Sequence, residues 1–360
     1  MKKETLQNLA LLITSVLFTL LVAEVGFRIM AYRNSLQSLE NLSESYEMPP
    51  AGEEATIGSM IRISKNPRII YEFIPNLDVT FLGQPVHTNA LGFRGDQIAP
   101  EKPENTIRIV GIGDSQMFGW GVADGEEYLA VLSKKLNENC PTHSWEVVNT
   151  GVPGYNTVME LETLRSKGLV YQPNYVIVGF IGNDFALPNF IRGEDENFYT
   201  LKKSFMVSYF RETATHRNLT DAPIGDGRVG FESDPEKVPA EYQDMVGESA
   251  VLQALEELKE LSVQHDFEVI FFMDNWYRRL GERQKRLQDA CRDLGFNFVS
   301  GYHIWDKFAE KDSLPDPQAA RFLSETDPHA SALSHRATGQ YLAELIQSKA
   351  FAQGQIQCSH

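Results

Sequence analysis

The sequence predicts an α/β fold in which a parallel sheet carries helices on both faces. Apolar, β-branched runs alternate along the chain with stretches that have apolar residues at helical spacing, a pattern typical of such sheets. The chain has 360 residues and is 42% hydrophobic, enough for one large domain with appendages. Predicted strands cover residues 107–111, 146–149, 175–180, 269–273 and 296–299. Predicted helices cover residues 126–137, 157–168, 249–264, 282–294 and 332–346.

The N-terminus carries an apolar segment that precedes this domain. Lys2 and Lys3 are followed by the uncharged run Leu9–Ala23, which is shorter than the about 20 residues of a membrane span. The run is therefore also compatible with the core of a signal peptide. Ala23 suits the last position before a signal-peptidase cut, but the leucine two residues earlier is a poor fit. We therefore favour an uncleaved transmembrane anchor over residues 1–33, with the two lysines inside and the remaining chain outside the cytoplasm.

Composition divides the remaining chain into a linker and two packed parts. Residues 34–60 are polar and contain a Pro-Pro pair, which predicts a linker. Residues 61–105 have short β-like runs between turn residues and predict a small strand region that packs on the main domain. The main domain covers residues 106–350, with a long polar insertion at residues 186–247. An insertion of this length either contributes to substrate specificity or is a solvent-exposed loop with no role in binding.

Charge and cysteine content narrow the classes of partner. The chain has 49 acidic and 33 basic residues, and its formal net charge of −16 argues against duplex nucleic acid, which needs a basic surface. The three cysteines, Cys140, Cys291 and Cys358, form no C-x-x-C pair and predict neither a metal site nor a disulfide framework. A single Cys140–Cys291 bridge in an oxidising compartment is one interpretation, and three unpaired thiols are the other.

The most informative motif is GDSQMFGWGV at residues 113–122. It follows the first predicted strand of the main domain and places Ser115 at the carboxyl end of that strand, where open α/β sheets bind ligands. A serine in this position attacks an ester when other residues supply a base and donors for the oxyanion. Taken alone, Ser115 is better explained as a helix N-cap. The three sequence blocks that follow favour the interpretation of Ser115 as a nucleophile.

Three further blocks occur in order, each at a strand end or a helix start. The first contains Gly154, the second is Gly182-Asn183-Asp184, and the third is Asp327-Pro328-His329. Because carboxyl ends of parallel strands meet at one edge of a sheet, we expect these blocks to converge on the motif that carries the serine.

The residue types of these blocks predict a serine nucleophile and its base. An imidazole titrates near neutral pH, so His329 is the predicted base for Ser115. Asp327 is predicted to hold the imidazole in the useful tautomer and to stabilise the imidazolium. His335 is a competing base, but it falls inside the last predicted helix.

The tetrahedral intermediate of ester hydrolysis also needs hydrogen-bond donors for its oxyanion. The predicted donors are the backbone N–H groups of Ser115 and Gly154 and the side-chain amide of Asn183. Glycine at position 154 lets the backbone approach the substrate without a Cβ atom in the way.

Together these blocks resemble those of the SGNH (GDSL) hydrolase family, whose name records Ser, Gly, Asn and His in four sequence blocks. Ser115, Gly154, Asn183 and His329 match them, and the resemblance covers about residues 106–346. It implies a flavodoxin-like three-layer α/β/α sandwich that hydrolyses esters without a metal ion or cofactor. The upstream motif HTNALGFRG and the N-terminal anchor are similar to bacterial envelope members of the family.

Two positions depart from the family pattern. Ile181 stands where the family often has glycine two residues before its asparagine, which predicts a narrower pocket. Asp327 lies two residues before His329, whereas a spacing of three is common in the family. The shorter spacing also occurs among envelope relatives, and it leaves the contact between the two side chains open at this point.

Three functions are compatible with the sequence. The leading hypothesis is a serine esterase, anchored in the inner membrane, that acts in the periplasm on an ester-bearing small molecule, lipid or acylated polysaccharide. An O-acetyltransferase or deacetylase of an envelope polysaccharide would use the same residues, and transfer would replace water by a sugar hydroxyl. A non-catalytic carbohydrate-binding scaffold is the third, and the presence of both Ser115 and His329 argues against it.

Overall fold

The computed structural model describes residues 3–35, 46–188, 199–201, 203–210, 232–325 and 327–358. These residues fall into two compact units. The first unit takes in the described parts of Met1–Asn41 and Phe190–Ala222. The second unit takes in the described parts of Leu42–Asn189 and Pro223–His360, and it contains every residue of the predicted site.

The first unit is built on one long apolar helix, α1 (Lys3–Ser35). Within it, Gln7–Ala31 is long and apolar enough to cross a membrane, judged by length and composition. A signal sequence near an N-terminus has the same properties, so the helix fits both interpretations of this segment. Residues 205–210 are also helical, and they contact α1 near its C-terminal end.

Four short strands open the second unit and pair as two antiparallel ribbons. β1 (Ile61–Ile63) pairs with β2 (Tyr71–Phe73), and β3 (Asp78–Phe81) pairs with β4 (Gln84–His87). Aromatic side chains of β2 and β3 are buried and contact the ring of Phe118. The strand region therefore packs on the short helix at Ser115–Phe118, which follows the first strand of the main domain.

A five-stranded parallel sheet forms the centre of the second unit, as predicted. Its strands are β5 (Thr106–Gly113), β6 (Ser144–Asn149), β7 (Tyr175–Phe180), β8 (Glu268–Met273) and β9 (Asn297–Ser300). They lie in the order β6-β5-β7-β8-β9, and all neighbours are parallel. Counted within the sheet, this is the flavodoxin-like order 2-1-3-4-5, in which ligands bind where the order reverses between the first and third strands. Every residue of β5 and β7 is buried, which explains their continuous apolar sequences.

Helices cover both faces of the sheet and complete a three-layer α/β/α sandwich. Three short helices are α2 (Ile57–Met60), α3 (Ser115–Phe118) and α9 (Pro317–Arg321). One face carries α4 (Tyr128–Asn139), α8 (Gly301–Lys311) and α10 (Ala332–Ala352). The other face carries α5 (Thr157–Thr163), α6 (Gly247–His265) and α7 (Glu282–Asp293). The fold class predicted from the sequence is thus confirmed, and α8 is an additional helix that the sequence analysis did not predict.

Parts of the predicted linker and insertion lie outside the described residues, namely 36–45 of the linker and 189–198, 202 and 211–231 of the insertion. The described end of the linker is packed: Ala55 and Met60 are buried, and Thr56 caps α2. Within the insertion, Val238 and Met245 are buried as well. The Asn156 side chain donates to the carbonyls of Ala186 and Met245, and so it joins the two ends of the insertion.

The disulfide differs from the pairing considered for the sequence. Cys140, at the end of α4, is bonded to Cys358, and their Cα atoms are 5.6 Å apart. Cys291 is a free, buried thiol in α7, and burial raises its pKa to about 12. A Cys140–Cys291 bridge was the wrong interpretation because α4 and α7 lie on opposite faces of the sheet. The alternative of three unpaired thiols was also wrong, since Cys140 and Cys358 are bonded.

Candidate active site

Ser115 lies at the carboxyl end of β5, beside the point where the strand order reverses. It is the first residue of α3, which Asp114 caps by accepting a hydrogen bond from the backbone N–H of Gln116 at 2.9 Å. The helix folds tightly against the strand before it, since a Cβ atom on Gly113 would lie 2.7 Å from the Cβ atom of Met117. The tight turn therefore requires the glycine of the motif, and it leaves Ser115 8% exposed.

Ser115, His329 and Asp327 form a hydrogen-bonded chain. Ser115 Oγ lies 2.9 Å from His329 Nε2, and His329 Nδ1 lies 2.6 Å from Asp327 Oδ1. The backbone N–H of His329 also donates to Asp327 Oδ1, at 3.1 Å. Burial acts to raise the pKa of Asp327, but the hydrogen bonds from His329 outweigh it and lower the pKa. The contact between Asp327 and His329, which the sequence alone left open, is therefore possible at a spacing of two residues.

The segment that carries His329 is tied to α3. The backbone N–H of Ala330 donates to Gln116 Oε1 at 3.0 Å, and the carbonyl of His329 accepts from the backbone N–H of Leu323 at 2.9 Å. Ser331 then caps α10 by accepting from the backbone N–H of Ser334. His329 is therefore held just before a helix start, the position that the sequence predicted for it.

Trp120 contacts both His329 and Asp327, and sequence reasoning did not select it. Its indole stacks on the imidazole, with ring centroids 4.9 Å apart and planes 17° apart. Its Nε1–H donates to Asp327 Oδ2 at 3.3 Å. Phe81 of β3 packs edge-on against the indole, with centroids 4.8 Å apart. Trp120 therefore fixes the orientation of the imidazole and the carboxylate together.

Arg94 of the motif HTNALGFRG holds the loop that carries Trp120. Its fully buried guanidinium donates to the carbonyls of Phe118, Gly119 and Val122, each at 2.7 Å. These three carbonyls lie on both sides of Trp120 in the chain. The upstream motif thus supports the site through the backbone of the first block.

Asn183 lies beside Asp114 where β7 ends. Its Nδ2 donates to Asp114 Oδ2 at 3.0 Å, which uses one of the two amide hydrogens. Ser115 Oγ lies 3.3 Å from the same carboxylate oxygen. Burial raises the pKa of Asp114, and hydrogen bonds from Gln116, Asn183 and Ser115 oppose the rise without cancelling it.

Gly154 lies in the loop between β6 and α5, with a backbone φ of +82°, which favours glycine. The loop donates a backbone hydrogen bond to the carbonyl of Gly113 at 3.1 Å, which places it along the end of β5. Tyr71 of β2 supports it: the hydroxyl donates to the Pro153 carbonyl at 2.8 Å, and a Cβ atom on Gly154 would lie 2.8 Å from that hydroxyl. Within the described part of the chain, the backbone N–H groups of Gly154 and Ser115 make no hydrogen bond.

Two more carboxyl groups are buried near Asp114. Burial and repulsion from Asp114 raise the pKa of Glu160 on α5 well above its usual range. Burial raises the pKa of Asp184 in the same way, with repulsion from Glu160 and Asp114. Among the described residues, neither oxygen of Glu160 has a hydrogen-bond partner. Burial therefore disfavours the charged form of both groups.

Two other residues considered in the sequence analysis, His335 and Ile181, are not part of the hydrogen-bonded chain formed by Ser115, His329 and Asp327. His335 is buried in α10, where its Nδ1 accepts a hydrogen bond from the backbone N–H of Tyr128 at 3.3 Å. Burial, followed by the charges of Arg94 and His329, lowers the pKa of His335 to about 3. Ile181 is 9% exposed, so little of its side chain faces solvent.

A metal ion has one candidate set of ligands within the described ranges. Cys140, His143 and Cys358 place their ligand atoms within 4.8 Å of one another. Two of these three residues are joined in the disulfide, which removes their thiolates as ligands. The set also belongs to the end of α4 and not to the edge of the sheet where Ser115 lies.

No family model and no curated protein match the chain. Among solved structures, it is similar to an acetylxylan esterase from Geobacillus stearothermophilus (14% identity, TM-score 0.37, 69% of this chain and 94% of that one). It is also similar to an alpha/beta hydrolase enzyme from the metagenome of Lake Arreo (14% identity, TM-score 0.40, 70% and 96%). A third is a protein assigned to the lipolytic G-D-S-L family from Desulfitobacterium hafniense (14% identity, TM-score 0.39, 66% and 97%). The function proposed below rests on contacts within this chain.

Replacing Trp120 by phenylalanine is expected to lower kcat/KM about tenfold, the loss for one hydrogen bond of about 1.4 kcal/mol to a charged group. Phenylalanine keeps an aromatic ring on His329 but cannot donate to Asp327. That donation is one of the contacts that lower the pKa of Asp327, so its loss raises this pKa towards the usual value. Steady-state kinetics on an activated ester measure the loss of rate. An unchanged kcat/KM would contradict a role for this donation.

Proposed function

We propose that this protein is a serine ester hydrolase of the SGNH (GDSL) family, with Ser115 as nucleophile, His329 as general base and Asp327 as the residue that orients the base. One observation carries the proposal: the unbroken hydrogen-bonded chain from Ser115 Oγ through the imidazole to Asp327, with contacts of 2.9 Å and 2.6 Å. Its position supports the same conclusion, because it stands at the reversal point of a 2-1-3-4-5 sheet.

The geometry supports acyl transfer in two steps. Ser115 Oγ attacks the ester carbonyl while His329 Nε2 takes its proton, and His329 then gives that proton to the leaving alcohol. A water molecule, deprotonated by the same nitrogen, next attacks the acyl-enzyme. The bond between the acyl carbon and Ser115 Oγ then breaks, His329 returns the proton to Oγ, and the acid leaves. Asp327 holds Nδ1–H throughout and stabilises the imidazolium that forms in each step.

Three donors are proposed for the oxyanion of each tetrahedral intermediate. They are the backbone N–H groups of Ser115 and Gly154 and the second amide hydrogen of Asn183. The bond from Asn183 to Asp114 fixes the amide plane, so this hydrogen needs no reorientation when the charge develops. Tyr71 supports the loop that carries Gly154, so the backbone N–H of Gly154 also needs no reorientation.

The test uses purified full-length protein, a p-nitrophenyl ester and a fluorophosphonate probe. An active hydrolase turns over the ester and is labelled once per chain. A folded protein that neither labels nor hydrolyses acetyl and longer esters is a non-catalytic scaffold, and the proposal then fails. Addition of an oligosaccharide acceptor separates hydrolysis from transfer, since an O-acetyltransferase acetylates the sugar faster than it releases acetate.

Replacing Asn183 by alanine is expected to lower kcat by about 10²–10³, the usual loss for one oxyanion donor, with a smaller change in KM. The reason is that the amide should bind the developing oxyanion more strongly than the ground-state carbonyl. Steady-state kinetics on the p-nitrophenyl ester measure the two constants separately. A change confined to KM would make Asn183 a residue that positions the substrate.

We also propose that α1 anchors the protein in the inner membrane, with the second unit in the periplasm and an ester of an envelope lipid, polysaccharide or small molecule as its substrate. Full-length protein is expected to stay with membranes after alkaline carbonate extraction, and the second unit is expected to be digested by protease added to spheroplasts. A soluble periplasmic form that lacks about 23 residues would identify a cleaved signal peptide instead. A protected second unit would contradict the orientation. Because Ala55 and Met60 are packed, a soluble active fragment should begin near Tyr46.

A further inference from the structure

The first unit contains a short apolar segment outside the membrane helix, at residues 199–210. Some of its largest side chains face solvent: Tyr199 is 92% exposed, Leu201 is 95% exposed and Phe210 is 57% exposed. These three side chains lie within twelve positions of the chain, and contiguous exposed apolar patches mark surfaces that meet a partner. The question is which partner this segment meets.

Hydrogen bonds fasten the segment to α1. The carboxylate of Glu24 accepts from Ser204 Oγ at 2.6 Å, from the backbone N–H of Phe205 at 2.9 Å and from that of Met206 at 3.1 Å. These are donors of the first turn of residues 205–210, so Glu24 acts as the cap of that turn although it belongs to another helix. The segment is therefore ordered by a residue of the apolar helix itself.

Side-chain packing places the segment against the same part of α1. The ring of Phe27 lies 5.0 Å from the ring of Tyr209 and 5.6 Å from that of Phe210, measured between centroids. The guanidinium of Arg28 lies over the ring of Phe205 at 4.9 Å. The contacts of the segment therefore centre on residues 24–28 of α1.

This part of α1 lies near the far end of its apolar stretch. The stretch Gln7–Ala31 has 25 residues, whereas a bilayer core takes about 20 helical residues, so a core counted from Gln7 ends near Gly26. Glu24 and Arg28, which form an ion pair at 2.9 Å, are then at the height of the lipid headgroups. Tyrosine is enriched in this layer, and lysine extends its charged end towards it.

We propose that residues 199–201 and 203–210 lie in the headgroup layer of the phospholipid bilayer where α1 leaves it, with Leu201 and Phe210 directed towards the acyl chains. The proposal rests on the anchoring role of α1 stated above. It gives the protein a second contact with the membrane, made by the insertion that follows β7. Association of two copies through the same side chains, or exposure to water, are the other outcomes of the test.

The test places nitroxide labels on single introduced cysteines in the full chain, reconstituted in vesicles of phosphatidylcholine and phosphatidylglycerol. The labelled variants are Leu201→Cys and Phe210→Cys, with Leu12→Cys as a reference in α1 and Val263→Cys as the matched control, since Val263 is an apolar residue of α6 that is 71% exposed. The native thiols do not compete, because Cys291 is buried and the other two are bonded. Collision rates with oxygen, which partitions into lipid, and with a water-soluble nickel chelate report the depth of each label.

Labels at positions 201 and 210 are expected to show an oxygen-to-nickel collision ratio several-fold above that at position 263 and below that at position 12. Ratios equal to that at position 263 overturn the proposal while the label at position 12 still lies in lipid. A water-exposed label at position 12 shows that the anchor itself has failed. Dipolar broadening between copies at position 201 or 210 overturns the proposal in favour of a protein contact.

A second pair of variants tests the role of Glu24. Glu24→Leu removes every acceptor from the cap and suits an apolar helix, whereas Glu24→Gln keeps one carbonyl acceptor. With the label at position 210, Glu24→Leu is expected to increase label mobility and to lower the oxygen-to-nickel ratio, and Glu24→Gln is expected to have a smaller effect. Unchanged spectra in Glu24→Leu would contradict the capping role.

Discussion

Replacing Ser115 by alanine is expected to lower ester hydrolysis by several orders of magnitude and to abolish fluorophosphonate labelling, while the fold persists. Ser115 Oγ lies between His329 Nε2 at 2.9 Å and Asp114 Oδ2 at 3.3 Å, so its removal takes away the nucleophile and leaves both neighbours in place. Members of a catalytic triad act as a unit, and the loss of one removes most of their combined effect. Initial rates, labelling and thermal unfolding measure the three parts of this prediction.

A matched serine makes the result specific. Ser166 is exposed on the helical turn after α5, and its hydroxyl donates only to a backbone carbonyl of the same helix. Ser166→Ala is expected to keep full labelling and turnover. If a folded Ser115→Ala protein also kept full turnover, the nucleophile would have to be another residue and the proposed function would lose its basis.

The sheet and the convergence of the blocks on one edge could be predicted because both depend on local pattern. Strands buried on two faces have continuous apolar sequences, and β7 with its six buried residues is the clearest case. The helix α8 was missed since its sequence starts with glycine and is rich in aromatic residues, which have lower helix propensity than alanine or leucine. Packing of Ile304 and Trp305 in the core outweighs that preference.

Contacts between distant parts of the chain could not be predicted. Trp120 reaches Asp327 across 207 positions, and Tyr71 reaches Pro153 across 82. Nothing in the spacing of these residues distinguishes them from core aromatics, which are the more common case. The cysteines make the same point: the partner of Cys140 follows from which face of the sheet carries each helix, and cysteine spacing does not contain that information.

His329 and His335 should separate cleanly as the base and a structural residue. His329→Ala is expected to lower kcat by several orders of magnitude with little change in the melting temperature, because its side chain is 23% exposed and its contacts are those of the site. His335 is 1% exposed and accepts from the backbone N–H of Tyr128, so His335→Ala leaves a cavity and an unpaired buried donor. Its expected cost is about 2 kcal/mol of unfolding free energy.

The pH dependence supplies a second, independent difference between the two histidines. With a pKa of about 3, His335 is uncharged at every pH at which the esterase would be assayed, so it does not titrate in the acid limb of the pH–rate profile. His335→Ala is therefore expected to keep that limb unchanged and to keep near-normal turnover per folded molecule. Rates normalised to the folded fraction, measured below the melting temperature, check this. A greater loss of normalised turnover in His335→Ala than in His329→Ala would show that the base was assigned to the wrong histidine.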